Sequence, residues 1–314
     1  LDHLPELQEF LQDSATRQEA LRYQLKLKSD LIVEAHGCRL VAHRGSSAGL
    51  VVMHDISALV RLEAVRRDFV ANVSHELKTP VAIIQGFVET LEDGAYREEE
   101  LARRFLGMIE RQTRRLKSII EDLLSLSRIE LESDGGTLAT ERWPLKDVVD
   151  GAIQACQTLA ADRGTKLLVN IHEEIVAEVN APLLEQALIN LLDNAIKYSP
   201  TKSTVQVVAH REGGWVSLEV KDEGPGIAPE HLPRLFERFY RVDKARSRKV
   251  GGTGLGLAIV KHIAQTHGGS AEVTSHVGSG SVFRLKLPVS RPSALGGGLA
   301  DSSRETEPGN GEFG

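Results

Sequence analysis

Apolar positions along the chain follow three rhythms in succession. Before residue 58, a helical LPELQEFLQ gives way to short apolar runs, LIVEAHG, CRLVAHR and AGLVVMHDIS, parted by Gly and Ser turns that predict strands. Three strands alone make a poor domain, so this segment reads as the tail of a larger sheet. From Leu59 to Leu91 the spacing turns to threes and fours. Leu59, Leu62, Phe69, Val73, Leu77, Ile84, Phe87 and Leu91 form the seam of a helix that packs on other helices. The turn EDGAYRE, with Gly94, leads to a second helix from Glu98 to Glu130. One face of it carries Leu101, Phe105, Met108, Gln112, Leu116, Ile119, Leu123 and Leu126; the other carries Arg103, Arg104, Arg111, Arg114, Arg115 and Lys117. A lone hairpin cannot bury both apolar stripes well, whereas two hairpins from two chains can, which predicts a homodimeric four-helix bundle. A hairpin packed on its own chain is the alternative.

After the polar ELESDGGT the pattern becomes α/β. Strands are predicted at Leu138–Arg142, Lys166–Ile171, Ile175–Val179, Thr204–Arg211, Trp215–Val220, Ser270–Ser275 and Ser281–Leu287. Helices are predicted at Leu145–Ala161, Pro182–Lys197 and Leu255–Thr266. Several strands are hairpin neighbours, so a mixed sheet covered by helices on one face fits. The tail PSALGGGLADSSRETEPGNGEFG lacks the apolar content to fold and is expected to be disordered.

Composition narrows the field only a little. A net charge of -6, from 38 basic and 44 acidic side chains, argues against general nucleic-acid binding. Cys38 and Cys156 are far apart and lack a CxxC spacing, which fits two reduced thiols in the cytoplasm. No run of 18 apolar residues occurs. Because the chain starts at Leu1 rather than Met, it is expected to be part of something longer, with membrane anchoring only through an upstream segment, in the cell inner membrane.

Three segments of the α/β region converge on one chemistry. In NLLDNAIKYSP, Asn190 and Asn194 lie four apart on one helical face. Such a pair can serve neighbouring backbone groups, or its amide oxygens can serve Mg²⁺, which takes few protein ligands beside phosphate and water. Lys197, a turn on, suits a phosphate. In VKDEGPGIAP, Asp222 enters a Gly224-Pro225-Gly226 turn: either a plain capped turn, or a carboxylate offered to a purine exocyclic amine. In GGTGLGLAIV, residues Gly252, Thr253, Gly254, Leu255 and Gly256 lack the third glycine of a dinucleotide fingerprint, and no Walker GKS or GKT exists. What remains is a glycine-rich loop feeding a helix N-terminus that favours an anion. Between them lie Arg234, Arg238, Arg241, Lys244, Arg246, Arg248 and Lys249, a local basic loop in an acidic chain, solvated or facing a polyphosphate. Together the segments point to ATP with Mg²⁺.

Residues 59–290 resemble the transmitter of a sensor histidine kinase. VSHELKTP resembles its H-box, NLLDNAIKYS its N-box, DEGPGI and GGTGLGLAIV its two glycine boxes and LFERFYR its F-box, all in the family's order. RRDFVANVSHELKTPVAIIQGFVETL is similar to the phosphate-regulon (PhoR-like) group, and VVMHDIS to the closing strand of a PAS domain. The resemblance implies an α+β multidomain chain. Its parts are a partial PAS-like segment (1–57), a dimerisation and histidine phosphotransfer domain (58–131), a linker with the first strand (132–144), a Bergerat/GHKL α/β sandwich that binds ATP (145–289) and a tail (290–314). It further implies Asn194 and Asn190 for Mg²⁺, Lys197 for a phosphate, Tyr198 for the nucleotide, Asp222 for the adenine amine, and Phe236 and Phe239 as anchors of a mobile lid. Asn180 departs from the family, which often has Asp there.

His75 then takes a role. A neutral imidazole is a good nucleophile near pH 7 because its unperturbed pKa is ~6.5. Glu76 beside it can orient the ring or take its proton, and Thr79 resembles the residue that positions a hydrolytic water in members with phosphatase activity. Pro80 has no N–H, so the carbonyl of Glu76 loses its helical partner and a kink is expected below the histidine. The expected partner is the receiver domain of a response regulator, whose aspartate would accept the phosphoryl group. A GHKL-type ATPase would need a glutamate where Asn190 stands, and would leave His75 idle; a non-catalytic nucleotide-binding scaffold is the third class.

Overall fold

An antiparallel sheet in the order β1-β2-β3 comes first, formed by β1 (Leu21–Lys28), β2 (Leu31–Val41) and β3 (Ser47–Asp55). The computed structural model describes residues 10, 13–14, 21–28, 31–41, 47–135, 138–171, 175–243 and 252–290. Most of LPELQEFLQ, the basic positions Lys244, Arg246, Arg248 and Lys249, and the tail after Ser290 lie outside them. The chain divides into two compact units, Leu1–Leu116 and Lys117–Gly314.

In the first unit, LIVEAHG and CRLVAHR are not two strands but one, β2, running through Gly37. The glycine is there for space rather than for a turn. A Cβ at Gly37 would come within 2.6 Å of Ser14 Cβ and 3.0 Å of the Phe10 ring, which packs on this face with Leu25, Val33 and Ala35. β1 was absent from the sequence expectation, although its LRYQLKLK alternates strictly. β3 passes directly into the helix α1 (Ser57–Glu92): Ser57 N–H donates to Asp55 Oδ1, and Ile32 N–H donates to Ser57 Oγ. α1 continues unbroken through Pro80, which is buried. The turn follows as expected, with Gly94 at φ 117° and a 3-10 turn at Ala95–Arg97, before α2 (Glu99–Gly135). Phe87 stacks on Phe105 with ring centroids 5.3 Å apart, joining the two apolar stripes. Much of α1 stays open to solvent in the single chain, with Leu62 66% exposed.

The second unit is built on a five-stranded sheet in the order β5-β7-β8-β10-β9. Its strands are β5 (Lys166–Ile171), β7 (Thr204–Glu212), β8 (Trp215–Asp222), β9 (Ser270–His276) and β10 (Gly280–Pro288). β5 and β7 are parallel and the other pairs antiparallel, a mixed sheet. β4 (Glu141–Pro144) and β6 (Val176–Val179) form a separate pair, so the first strand lies at 141–144 rather than at Leu138–Arg142. Trp143 and Pro144 extend β4 because Leu145, fully buried, is where α3 (Leu145–Arg163) begins. α4 (Ala181–Tyr198) and α5 (Gly256–Thr266) complete the unit. Val216, Leu218 and Val220 supply the sheet's core face together with Leu184, Leu188, Leu191 and Ile259, all buried. On the opposite face of β8, buried Glu219 accepts from Arg284 at 2.8 Å; burial pushes its carboxyl up, but the bonds from Arg284 and Lys221 outweigh this and hold it low.

The departure at Asn180 has a structural reason. Its Oδ1 caps α4 by accepting from Leu183 N–H at 3.1 Å, while its Nδ2 donates to the Ala139 carbonyl at 3.1 Å. An aspartate could make the first bond and not the second. Its backbone N–H donates to Nε2 of the buried His267 at 3.0 Å. Replacing Asn180 with Ala removes both side-chain bonds and is expected to cost about 1–2 kcal/mol. Calorimetry should register this as a melting point lower by a few degrees.

Candidate functional site

Two separate constellations carry the candidate chemistry, one in each unit. In the first, the i, i+4 geometry of α1 sets Thr79 a turn beyond His75, and Thr79 Oγ1 donates to the His75 carbonyl at 3.0 Å. This hydroxyl supports the turn that Pro80 weakens. His75 itself is exposed on the single chain. Glu76 is not simply at the disposal of His75. Its Oε2 accepts from Arg115 Nη2 at 2.7 Å, and the side chains are only 22% and 9% exposed. Arg115, placed on the basic face by sequence, thus turns inward to bind α2 to α1. Its Nε and the Oε1 of Gln112, one turn before it, are buried without a hydrogen-bond partner.

In the second unit the glycine-rich segments meet α4. Asn190 and Asn194 share one face of α4, and Gly256 at the start of α5 lies over Asn190, since a Cβ there would sit 3.7 Å from its Oδ1. The Asn190 Nδ2 is buried and has no hydrogen-bond partner. Exchanging the positions of the amide nitrogen and oxygen would place an acceptor there instead of an unpaired donor. Lys197 Nζ is held by Asp193 Oδ2 at 2.6 Å. A cavity of about 550 Å³ opens at the end of α4, lined by Lys197, Tyr198 and Gly224, and also by Arg163 and Glu223, which the sequence did not single out; Asn190, Asn194 and Asp222 are not part of its lining. Arg163 donates to the Ser199 carbonyl at 3.0 Å and so fixes the end of α4 at the cavity wall.

Asp222 ends β8 and faces back on the turn after it. Its Oδ1 accepts from Gly224 N–H at 2.8 Å; burial pushes the carboxyl up, against the opposing bonds from the Gly224 and Ser281 backbone. Gly226, at φ 70°, is required by both conformation and room, because a Cβ would lie 2.0 Å from the His276 carbonyl oxygen. Gly254, at φ 81°, lets the Phe239 backbone approach, and Phe239 N–H donates to the Gly254 carbonyl at 2.8 Å. Gly252 accepts from Arg241, so the F-box and the second glycine box are tied together at two points. α5 begins without a side-chain cap, and its Leu255 N–H reaches Thr253 Oγ1 at 3.2 Å. That hydroxyl in turn donates to Asp122 of α2 at 2.6 Å, and Arg238 pairs with Glu130. Both acids were missed, since partners more than a hundred residues distant leave no local pattern.

Known proteins agree with this geometry. Residues 179–291 match the family described as histidine kinase-, DNA gyrase B- and HSP90-like ATPase, and residues 65–132 match the His Kinase A (phospho-acceptor) domain. The sensor-like histidine kinase SenX3 of Mycobacterium tuberculosis is 40% identical over 268 residues, which is 83% of this chain and 63% of that protein. The sensor protein SrrB of Staphylococcus aureus is 36% identical over 78% of this chain and 42% of its own length. The chain therefore spans less than two thirds of these relatives. Among solved structures, the Acinetobacter baumannii histidine kinase AdeS superposes with a TM-score of 0.55 at 29% identity, over 68% of this chain and 98% of that one. Histidine kinase ThkA, solved in complex with response regulator protein TrrA, shares the fold at 19% identity, with a TM-score of 0.59 over 92% of this chain and 85% of that one. The second unit thus carries an ATPase domain of the histidine kinase, gyrase and HSP90 class. Preceded by a phospho-acceptor hairpin, it makes the chain a member of the two-component sensor histidine kinase family.

Proposed function

We propose that this chain transfers the γ-phosphoryl group of ATP to His75 and from there to an aspartate in the receiver domain of a response regulator. The observation that carries the reading is an exposed histidine on the phospho-acceptor helix combined with a cavity lined by Lys197, Tyr198 and the Glu223–Pro225 stretch that follows Asp222. Asp222 is the acceptor for the adenine amine, Tyr198 flanks the base, and Lys197 leaves Asp193 to meet a phosphate. Gly224, Gly226, Gly252, Gly254, Leu255 and Gly256 shape the walls, while Thr253 and Arg238 offer donors to the triphosphate. Asn194 and Asn190 fit Mg²⁺ through their amide oxygens, the buried orphan amide of Asn190 being the supporting feature. When bound, the cation neutralises charge on the transferring phosphoryl group. The imidazole nitrogen forms a bond to the γ-phosphorus as the bond to the bridging oxygen breaks and ADP departs. The ring N–H proton passes to Glu76, whose carboxylate Arg115 holds in place.

The protein acts as a homodimer in this reading, since the α1 stripe left open in one chain (Leu59 at 55% exposed, Leu62 at 66%) is what a second hairpin would cover. The domain limits drawn from the sequence, with a PAS-like end before residue 58, belong to the same proposal, as does a role in phosphate-responsive signalling, supported by the PhoR-like wording around His75. No helix among the described residues is long and apolar enough to cross a membrane.

Incubation with γ-labelled ATP tests the reading: acid-labile, alkali-stable label on the chain supports a histidine kinase, and ATP consumption without label on the protein defeats it. We expect bifunctionality as well. Thr79→Ala should leave autophosphorylation within about twofold and slow dephosphorylation of the regulator by on the order of tenfold or more, the range of one positioned group in proton transfer. Timed loss of label from a phosphorylated receiver domain checks this, and equal loss of both activities would remove Thr79 from the hydrolytic role.

A further inference from the structure

The C-terminal half of α2 presents Ile119, Asp122, Leu126, Ile129 and Glu130 in steps that fall on one helical face. The three apolar residues are buried to 1% exposure or less, so this face is covered. Its two acids meet groups assigned above to the nucleotide. Asp122 Oδ2 accepts from the Thr253 hydroxyl at 2.6 Å, at the N-terminal end of α5. Glu130 pairs with Arg238 and lies 4.0 Å from His262 Nε2. Asp122 is largely buried, and burial pushes its carboxyl up; the charges of Asp193 and Lys197, which also act on it, set it near the N-box pair. A carboxylate and a phosphate oxygen draw on the same kind of donor.

We propose that Asp122 and Glu130 form an internal latch that competes with the triphosphate of ATP. The contacts require α2 to hold the hydroxyl of Thr253 and the guanidinium of Arg238, the donors that the polyphosphate needs. Docking of the ATP-binding fold on this face and loading of nucleotide therefore exclude each other. The coupling is reciprocal: whatever loosens α2 strengthens ATP binding, and ATP releases α2 by the same factor. A signal that shifts α2 could thereby gate nucleotide loading without touching the pocket. If the latched form makes up nine tenths of the free protein, apparent affinity is reduced roughly tenfold.

The inference rests on the nucleotide reading, and the test separates the two. Binding of the non-hydrolysable analogue AMP-PNP with Mg²⁺ is measured by calorimetry on the full chain, on Asp122→Asn, on Glu130→Gln and on the double variant, with melting points without nucleotide. Each single variant is expected to bind about two- to fivefold tighter and the double variant up to about tenfold tighter, with a melting point equal to or below that of the parent. A merely structural role would lower stability and affinity together. Equal or weaker binding by both single variants, with the parent chain binding normally, overturns the latch alone. Absence of binding in all four proteins overturns the latch together with the nucleotide pocket. Should Asp122→Asn fail to fold, Glu130→Gln decides by itself, because it breaks a contact to a different residue.

Discussion

Replacing His75 with Ala is expected to abolish phosphorylation of the chain by ATP, lowering the rate by on the order of 10³-fold or more, the scale lost when a covalent nucleophile is removed. The substitution is clean for physical reasons. His75 is exposed, so no core contact is lost. Its carbonyl, and not its ring, accepts the Thr79 hydroxyl, so the local turn keeps its bond. Alanine is the best helix former, and the change in stability should stay within about 0.5 kcal/mol. Nucleotide affinity belongs to the second unit and should not change. Label retained by His75→Ala in a filter-binding assay would show that the acceptor is another residue; label lost together with AMP-PNP binding would show that the variant had misfolded. The neighbouring pair refines the expectation. Because Glu76 is tied to Arg115 across the hairpin, Arg115→Ala should lower the rate of the chemical step far less than His75→Ala does.

What the sequence made legible was governed by distance along the chain. Helix α4 and strands β5, β7, β8 and β10 were visible because each carries its own period and its own stop signals: Asn180 before α4, Gly213 and Gly214 between β7 and β8. The misreadings have equally local causes. Gly37 looked like a turn because glycine usually marks one, yet its service is to leave room for Phe10 and Ser14, a demand made by residues more than twenty positions earlier. LRYQLKLK carries a two-residue period, yet it was assigned no element because Arg, Gln and Lys fill its alternate positions. At the sites, the residues inside motifs were found and their partners were not. Asp193 for Lys197 lies within one turn and could have been inferred. Arg115 for Glu76, Asp122 for Thr253 and Glu130 for Arg238 depend on how helices pair, which no spacing rule encodes. Composition gave even less: a net charge of -6 says nothing of a cavity lined by Lys197 and Arg163.

Asp222→Asn is expected to weaken ATP binding by roughly 10- to 150-fold, the worth of a hydrogen bond to a charged group, while leaving the folded chain as stable or more so. The two halves of this expectation have one origin. Asp222 is mostly buried, and burial raises its carboxyl above the ordinary aspartate range despite the Gly224 and Ser281 N–H groups. A raised value means that the folded state takes up the proton more readily than the unfolded chain. The cost of keeping the carboxylate is thus absent below the unfolded value of an aspartate and fully present once the pH exceeds the folded one. At neutral pH the amide removes that cost. Yet the amide has a single oxygen, and if this keeps the bond that Oδ1 now accepts from Gly224 at 2.8 Å, its NH₂ turns toward the adenine amine, donor against donor. The same carboxylate predicts the pH dependence: ATP affinity should fall as the pH drops through the raised value, sooner than an exposed aspartate would allow. Calorimetric titration of ATP against the parent chain and the variant, from the ordinary aspartate range up to neutral pH and paired with thermal melts, measures both effects. A variant that binds ATP normally, or that preserves the parent's preference for ATP over GTP, would show that the adenine amine is read by some other group than the carboxylate at the end of β8.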